Sequence, residues 1–306
     1  MEPGCQICGP DNGRELAAGS LTRRPWRVAA VVVAGIAVSL GGAACSVIGQ
    51  PSATSTRHPS TAPSGDARSG SASLRTRGGS KPLAGKVIGI DPGHNGRNNT
   101  DPSFIDHQIF NGRSMEACNT VGTQTAGGYT EARFNFNVAM RLTADLRADG
   151  ARVVLTRRNN HGIGPCVNRR STMLNHTDVA IDIHADGGPT WGRGFTVLEP
   201  VADEPNGKVI ASSVRFGHDV HRAFLARTPL KASDYYGHNG YQFRDDLAGL
   251  NLTAVPKVLI ECGNMPNHAD AALLTSPRVQ REIARALEAA IIRFLTGRWP
   301  SSQSAA

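Results

Sequence analysis

Three familiar catalytic motifs are missing from this chain of 306 residues. It contains no GxSxG nucleophile elbow, no GxxxxGK(S/T) phosphate loop and no HExxH zinc helix. These absences argue against an α/β-type serine hydrolase, a P-loop nucleotide hydrolase and a metalloprotease of the HExxH class. The sequence also shows no internal repeat.

A surplus of positive charge is lacking in the C-terminal two-thirds of the chain. Residues 1–86 contain ten Lys/Arg and four Asp/Glu, whereas residues 87–306 contain 23 and 21. The formal net charge of +8 therefore belongs mostly to the N-terminal part. Because binding to nucleic acid needs a concentrated basic surface, we expect no nucleic-acid partner.

The N-terminal part contains one uncharged, largely apolar stretch, which is short for a membrane-spanning helix. The uncharged stretch 28–44 has 17 residues, the lower limit for a membrane-spanning helix. It follows a basic tail, residues 1–27, and ends in small residues before Cys45, which is typical of a signal peptide. Cleavage, retention as a membrane anchor and lipid attachment at Cys45 are three open alternatives for residues 28–45. In each case we expect export to the cell envelope.

The segment 46–84 contains few large apolar residues and is rich in Ser, Thr, Pro and Gly. Such a composition cannot bury enough surface to offset the entropy lost on ordering, so we predict a disordered linker. The pattern changes sharply near Lys86. We predict one folded catalytic domain over 85–298 and a flexible tail over 299–306.

Cysteine is scarce, and the six residues do not form one set. Cys5 and Cys8 make a lone CxxC, which is weak support for a metal site. Cys118 and Cys166 lie in predicted loops of the exported domain, where an oxidising compartment favours a disulfide between them. Cys262 lies inside an apolar run and is expected to be a small buried side chain.

Short apolar runs alternate with segments of helical periodicity in the folded part. Strands alternating with helices predict a single α/β domain with a mostly parallel twisted sheet flanked by helices. The polar segment 95–128 is long for a loop, and we expect Cys118 to staple it. Residues 226–252 have no clear assignment. The predicted strands are 86–91, 151–156, 178–184, 194–200 and 256–262, and the predicted helices are 130–150, 165–176, 207–225 and one that opens at Ser276.

Four residues occur where they could build one hydrolytic zinc site. His94, His184 and Glu261 follow or end apolar runs, and Glu131 takes the first helical position after Thr130. Open α/β sheets bind ligands at the carboxyl ends of their strands. Two imidazoles and a carboxylate form a known catalytic zinc set, and a second carboxylate would serve as general base.

Two aspartates could support the proposed ligands from behind. Asp91 could accept the second ring proton of His94 and fix its tautomer. Asp182 shares a strand face with His184, and is either its supporting partner or a buried, hydrogen-bonded acid.

The remaining histidines have weaker contexts. His218 and His221 lie three apart on a predicted helix and are interpreted as surface or structural residues. His238, in a polar aromatic loop, is a candidate for substrate contact.

The segments IDPGHNG, GGYTEAR, IDIHADGG and VLIECGN, in this order, resemble the zinc-dependent N-acetylmuramoyl-L-alanine amidases. The resemblance spans residues 86–297 and extends to a disulfide-containing branch of exported cell-wall amidases. It implies an α/β domain that cleaves the amide between N-acetylmuramic acid and L-alanine in peptidoglycan. It also implies that His94, Glu131 and His184 hold one zinc ion and that Glu261 is the catalytic carboxylate.

The sequence departs from the family at two places. Leu174-Asn175 stands where an Ala-Asn pair is more frequent, and Ile-Glu-Cys at 260–262 replaces a Val-Glu-apolar pattern. Neither departure touches a proposed ligand, so both bear on substrate fit more than on metal binding.

Two other functions stay open at this stage. One is a non-catalytic peptidoglycan-binding or regulatory relative, and the other is a zinc hydrolase acting on a different amide or ester. Under the preferred interpretation, the partners are peptidoglycan or muropeptides, with a membrane contact through the N-terminal segment as an alternative. We expect a monomer.

Overall fold

The computed structural model describes residues 81–300. The predicted basic tail, export segment, Cys45 and most of the linker lie outside the described residues, as does the end of the C-terminal tail. Among residues 81–300, no helix combines the length and apolar character needed to cross a bilayer.

The described residues form eight strands, seven α-helices and two short 3-10 helices, Asn98–Thr100 and Asn206–Val209. The strands are β1 (Val87–Pro92), β2 (Gln108–Phe110), β3 (Met115–Ala117), β4 (Arg152–Leu155), β5 (Val179–Asp186), β6 (Thr196–Pro200), β7 (Tyr241–Arg244) and β8 (Lys257–Asn264). The helices are α1 (Pro102–Asp106), α2 (Glu131–Ala148), α3 (Val167–Leu174), α4 (Ile210–Arg227), α5 (Ala248–Asn251), α6 (His268–Leu274) and α7 (Pro277–Thr296).

Six strands form the main sheet, in the order β4-β1-β5-β8-β6-β7. Every neighbouring pair is parallel except β6 and β8, which run antiparallel. Strands β2 and β3 pair separately as a hairpin. The predicted α/β fold with a mostly parallel sheet is therefore confirmed.

The two faces of the sheet carry different chemistry because side chains alternate along each strand. On one face, Ile181 and Ile183 of β5 and Val258 and Ile260 of β8 pack with helices α2, α4 and α7 in the main core. The alternate positions on the opposite face include Asp182 and His184 of β5 and Lys257, Leu259 and Glu261 of β8. Helices α3 and α5 supply Leu174 and Leu250 to small apolar clusters on that second face.

The predicted helix from Thr130 to Gly150 corresponds to α2, and the stop at Gly150 has a physical cause. Gly150 has φ of 94°, a backbone conformation that glycine adopts without steric cost. Thr130 occupies the N-cap position, but its side chain makes no capping hydrogen bond.

Packed structure extends beyond both expected domain boundaries. Leu83 belongs to the main core with no exposed surface, and its N–H donates to Asp149 O at 3.0 Å. At the other end, Trp299 packs against the same core. The segment expected as linker to 84 thus joins the domain in its last residues.

The long segment 95–128 contains α1 and the β2–β3 hairpin, neither of which was predicted. The predicted disulfide between Cys118 and Cys166 is confirmed, with the two Cα atoms 4.4 Å apart. It joins the segment after the hairpin to the start of α3.

Cys262 is free and buried, as expected. Residues 226–252 contain β7 and α5, two short elements with weak periodicity.

Candidate metal centre and catalytic pocket

His94 follows β1 in a tight turn. Its φ is 58°, an unusual conformation for a residue with a side chain. The preceding Gly93 lies against His184, and a Cβ added at Gly93 would be 2.2 Å from His184 Cε1. His94 Nδ1 lies 3.1 Å from Thr120 O, so the loop stapled by the disulfide fixes one side of the ring.

Glu131 opens α2 and links the two imidazoles. Its Oε2 is 3.1 Å from His94 Nε2, and its Oε1 is 2.9 Å from His184 Nδ1. The carboxylate also accepts from Thr123 N at 3.0 Å and from Asn135 Nδ2 at 3.2 Å. These contacts hold both oxygens towards the pair of rings.

Glu131 and the two histidines shift one another's ionisation. Burial lowers the pKa of His94, but the Glu131 carboxylate outweighs it and raises that pKa above its ordinary value. Burial likewise raises the pKa of Glu131, yet His94 and His184 hold it well below the usual range. The Glu131 carboxylate therefore stays ionised, and a cation bound here would displace the proton that this carboxylate favours on His94.

The three side chains fit a zinc ion on this geometry. Their ligand atoms all lie within 4.8 Å of one another. Two histidines and one glutamate form a donor set that zinc accepts, with a position left for water or substrate. The only other such group among residues 81–300 is His107 with Cys118 and Cys166. Its two sulfurs are joined in a disulfide and are not available as thiolates.

Glu261 lies beside His184 because the two residues are register partners on the parallel strands β5 and β8. Burial, followed by the charges of Glu131 and Asp186, raises the pKa of Glu261 well above its usual range. Its Oε2 is buried and makes no hydrogen bond within the described part of the protein. The arrangement leaves one carboxyl oxygen free to exchange a proton.

One cavity of about 260 Å³ brings all four predicted site residues together. Asp186, Gly187 and Arg244 also line it. An apolar pocket of about 160 Å³ adjoins His94 and His184 on the hairpin side. The apolar residues lining that pocket include Ala117, Val167, Leu247, Ala248 and Leu259.

Two buried arginines clamp the turn that presents His94. Arg170 donates to Pro92 O at 2.9 Å and to His94 O at 2.6 Å. Arg157 donates to Pro92 O at 2.8 Å and to Gly93 O at 3.1 Å. The three consecutive carbonyls of the turn are thus bonded to guanidinium groups, which stabilises the unusual His94 backbone.

The prediction that Asp91 supports the His94 ring is wrong. Asp91 Oδ1 instead lies 2.6 Å from Arg170 Nη1 and accepts a bond from Thr156 Oγ1. A buried arginine near the turn needs a counter-charge, and Asp91 provides it.

Asp182 is likewise a structural acid and does not bond to His184. Its carboxylate lies 2.9 Å from the ammonium of Lys257, and both groups are buried. Burial raises the pKa of Asp182 to about 6. Of the two alternatives from the sequence, the buried acid describes this residue, and the partner that holds it is the Lys257 ammonium.

The histidines expected to be structural lie outside the cavity. His221 stacks on Tyr241 with ring centroids 4.2 Å apart, and His218 meets the same ring edge-on. His238 is exposed beside β7 and does not line the cavity.

Several residues that shape the site were missed in the sequence. Arg157 and Arg170 sit in ordinary-looking Arg-Arg pairs, and Arg170 reaches an acid 79 positions away. Tyr235, whose hydroxyl donates to Asp186 Oδ2 at 2.6 Å, belongs to the segment without a clear assignment. No local sequence pattern predicts contacts between such distant residues. The one available signal was the Tyr235-Tyr236 pair, because two adjacent aromatic residues are unusual in a polar loop.

Comparison with known proteins gives matches of one kind along the folded part of the chain. A profile described as N-acetylmuramoyl-L-alanine amidase matches residues 88–293. The chain is 40% identical over 216 residues to the N-acetylmuramoyl-L-alanine amidase Rv3717 of Mycobacterium tuberculosis, covering 70% of this chain and 88% of that protein. It is 26% identical over 235 residues to a germination-specific N-acetylmuramoyl-L-alanine amidase of Bacillus subtilis, covering 71% of this chain and 83% of that protein.

A solved structure agrees in sequence and fold. The N-acetylmuramyl-L-alanine amidase Ami1 of Mycobacterium smegmatis superposes with a TM-score of 0.66 at 38% identity. The match covers 71% of this chain and 99% of that one. The region shared with these proteins is the domain that carries the cavity.

Proposed function

The chain belongs to the N-acetylmuramoyl-L-alanine amidase family, and from that premise we propose a zinc-dependent amidase of peptidoglycan. The bond cleaved is the amide between the lactyl group of N-acetylmuramic acid and L-alanine of the peptide stem. The observation that carries the proposal is the Glu131 carboxylate between His94 and His184, with the unpartnered Glu261 Oε2 in the same cavity.

His94, Glu131 and His184 would hold the zinc ion. When bound, zinc polarises the amide carbonyl and lowers the pKa of water at the site. The bonds from Thr123 and Asn135 to Glu131, and from the arginines to the His94 turn, orient these side chains before metal arrives. Such preformed orientation from outer contacts is a usual requirement of zinc sites.

Glu261 would move the protons of the reaction. Its Oε2 accepts a proton from the attacking water and delivers it to the nitrogen of the departing L-alanine. Transfer at this atom is favoured because no protein donor competes for it. Amide hydrolysis needs this delivery, since an unprotonated amine leaves poorly.

Two variants separate metal binding from proton transfer. Glu261→Gln keeps the three ligands but removes the acceptor, so turnover should fall at least ~100-fold with zinc content unchanged. His94→Ala should instead lose zinc, as measured by elemental analysis. The exposed residues Glu204 and His161 provide matched controls, Glu204→Gln and His161→Ala. Wild-type turnover by Glu261→Gln would rule out its assigned role.

Product analysis tests the substrate. Mass spectrometry of digests of a defined muropeptide should show a free N-terminal L-alanine on the released stem and an intact lactyl group on the sugar. Cleavage at any other amide would contradict the proposed specificity. A chelator should stop the reaction and added zinc should restore it.

The proposed site of action is the cell envelope, reached by export through the segment 28–45. Fractionation of cells producing the full chain, with and without Cys45→Ser, tests this. Release of the variant into the soluble fraction would support lipid attachment, whereas a cytoplasmic wild type would contradict export.

We further propose that the protein is a monomer. Light scattering of the purified domain would measure its molar mass and test this.

A further inference from the structure

A tryptophan is displayed beside the catalytic cavity. Trp191, in the loop 187–194 between β5 and β6, is 71% exposed, and no other large apolar side chain in residues 81–300 is as exposed. Exposing an indole forgoes burial of a large apolar surface. The protein nevertheless builds a fixed support beneath this residue.

Two buried asparagines hold the loop by its backbone. Asn264 Nδ2 donates to Pro189 O and to Gly192 O, both at 2.7 Å, on either side of Trp191. Asn267 Nδ2 donates to Thr190 O at 2.8 Å. Three carbonyls around one exposed side chain are therefore bonded to side chains from the end of β8 and the turn before α6.

Tyr235 supports the loop from a second direction and ties it to the cavity. A Cβ added at Gly188 or Gly192 would be 2.2 or 2.4 Å from the Tyr235 ring, so both glycines rest directly on it. The Tyr235 hydroxyl bonds to Asp186, which lines the cavity. Because the loop is ordered in advance, a ligand that stacks on Trp191 meets a smaller entropy cost.

The cavity by itself is too small for the whole substrate. Even with the adjoining pocket of about 160 Å³, its volume of about 260 Å³ gives only the low end of the ~300–1,000 Å³ that encloses a drug-sized ligand, and a muropeptide is larger than such a ligand. A muropeptide joins a sugar strand to a peptide at the amide, so both parts must extend over the rim. Gly187 lines the cavity and begins the loop, so Trp191 follows the cavity wall by four residues.

Chemistry favours the sugar strand over the peptide stem at this position. A pyranose ring presents a neutral face of C–H bonds, which matches a flat indole with a negative face. The stem carries carboxylates, and the charged groups beside the loop include the Asp186 and Asp234 carboxylates, the latter bonded to Arg193 N. Arg193 is itself paired with the buried Asp270. Lys231 is likewise paired with Asp234. Both cations beside the loop therefore already have carboxylate partners and offer an anionic stem little attraction.

We propose that Trp191 is the stacking platform of a glycan subsite that holds the sugar strand next to the scissile amide. The inference rests on the proposed amidase function for its substrate. The proposal adds a substrate-binding residue to the proposed zinc ligands and to Glu261.

Binding to a peptide-free glycan tests the proposal without hydrolysis. The probe is a tetramer of β-1,4-linked N-acetylglucosamine, titrated by calorimetry into Glu261→Gln protein. Adding Trp191→Ala should weaken binding at least ~10-fold, while Trp191→Phe should retain most of it. Leu225→Ala, which truncates another exposed apolar residue on α4 behind the sheet, is the matched control and should bind as the parent does.

Two results would overturn the proposal. One is equal affinity of the tetramer for the Trp191→Ala protein and its parent. The other is binding of a free stem tetrapeptide, without sugar, that depends on Trp191. Because the probe has no muramyl amide and the protein background is inactive, failure of the amidase assignment would appear in the product analysis and leave this measurement interpretable.

Discussion

At the scale of single residues, the turn that presents the candidate ligand His94 is held by buried arginines, and the expected support of its ring by Asp91 is absent. Arg170, 1% exposed, bonds to Asp91 and to the carbonyls of Pro92 and His94. Burial opposes ionisation of Asp91, but the Arg170 guanidinium outweighs it and lowers the pKa of Asp91 to about 2. His94 reaches the site only while this turn keeps its left-handed backbone.

Arg170→Gln should destabilise the domain and weaken zinc binding together. The substitution leaves the Asp91 carboxylate buried without its partner, which costs ~3–5 kcal/mol in comparable ion pairs. Urea unfolding and a competitive zinc titration measure the two effects. Arg169→Gln, at the neighbouring exposed position, should change neither. Full zinc affinity in Arg170→Gln would show that the turn holds His94 without the clamp.

At the scale of elements, the site is assembled by a loop and a helix start as much as by strands. The segment after the hairpin supplies Thr120 O to His94 and Thr123 N to Glu131. The Cys118–Cys166 disulfide fixes the beginning of that segment against α3. Segment 119–123 therefore lies between the bridge and the two candidate ligands, His94 and Glu131.

Replacing both bridge cysteines by serine should lower stability and zinc affinity. A bridge with a sequence separation of 48 contributes about 4 kcal/mol in the chain-entropy model. Urea unfolding of the wild type under oxidising and reducing conditions gives the comparison. Reduced wild type should unfold like the double variant, and the variant should not respond to reductant. Identical unfolding of oxidised and reduced wild type would contradict the prediction.

At the scale of the whole molecule, a buried acid lies away from the cavity. Glu199 of β6 is 2% exposed and packs against Gly217 of α4. Burial raises the pKa of Glu199 from 4.5 to about 7. Between these two values the folded protein keeps a proton that the unfolded chain has released, so stability falls as the pH rises.

Glu199→Gln should remove this pH dependence. The stability associated with the neutral carboxyl is complete below about pH 4.5 and is lost as the pH rises through 7, a change of ~3 kcal/mol. The difference in melting temperature, variant minus wild type, should therefore increase between pH 5 and pH 8. Glu204→Gln, at an exposed position, should have the melting temperature of the wild type at pH 5 and at pH 8. A constant difference between Glu199→Gln and wild type would refute the effect.

The part of the candidate site that depends on local sequence patterns could be predicted. In β5, apolar residues alternate with Asp182, His184 and Asp186, whereas in β8 the apolar run 258–260 precedes Glu261. Apolar runs and alternation are properties of neighbouring positions, so the sequence predicts both strands and the shared face of Asp182 and His184. Their order along the chain predicts an α/β sheet whose strand ends meet. Their roles in zinc binding and proton transfer stay predictions.

The sequence alone thus determined the α/β class, the main strands and helices, the disulfide partners and the candidate ligands. Only the tertiary structure decided that β6 runs antiparallel to β8, that Arg170 rather than His94 pairs with Asp91, and that Trp191 stands on a braced loop beside the cavity. The physical reason is distance along the chain. Helix and strand periodicity arise within a few residues, whereas these contacts join segments that meet only when the sheet has formed.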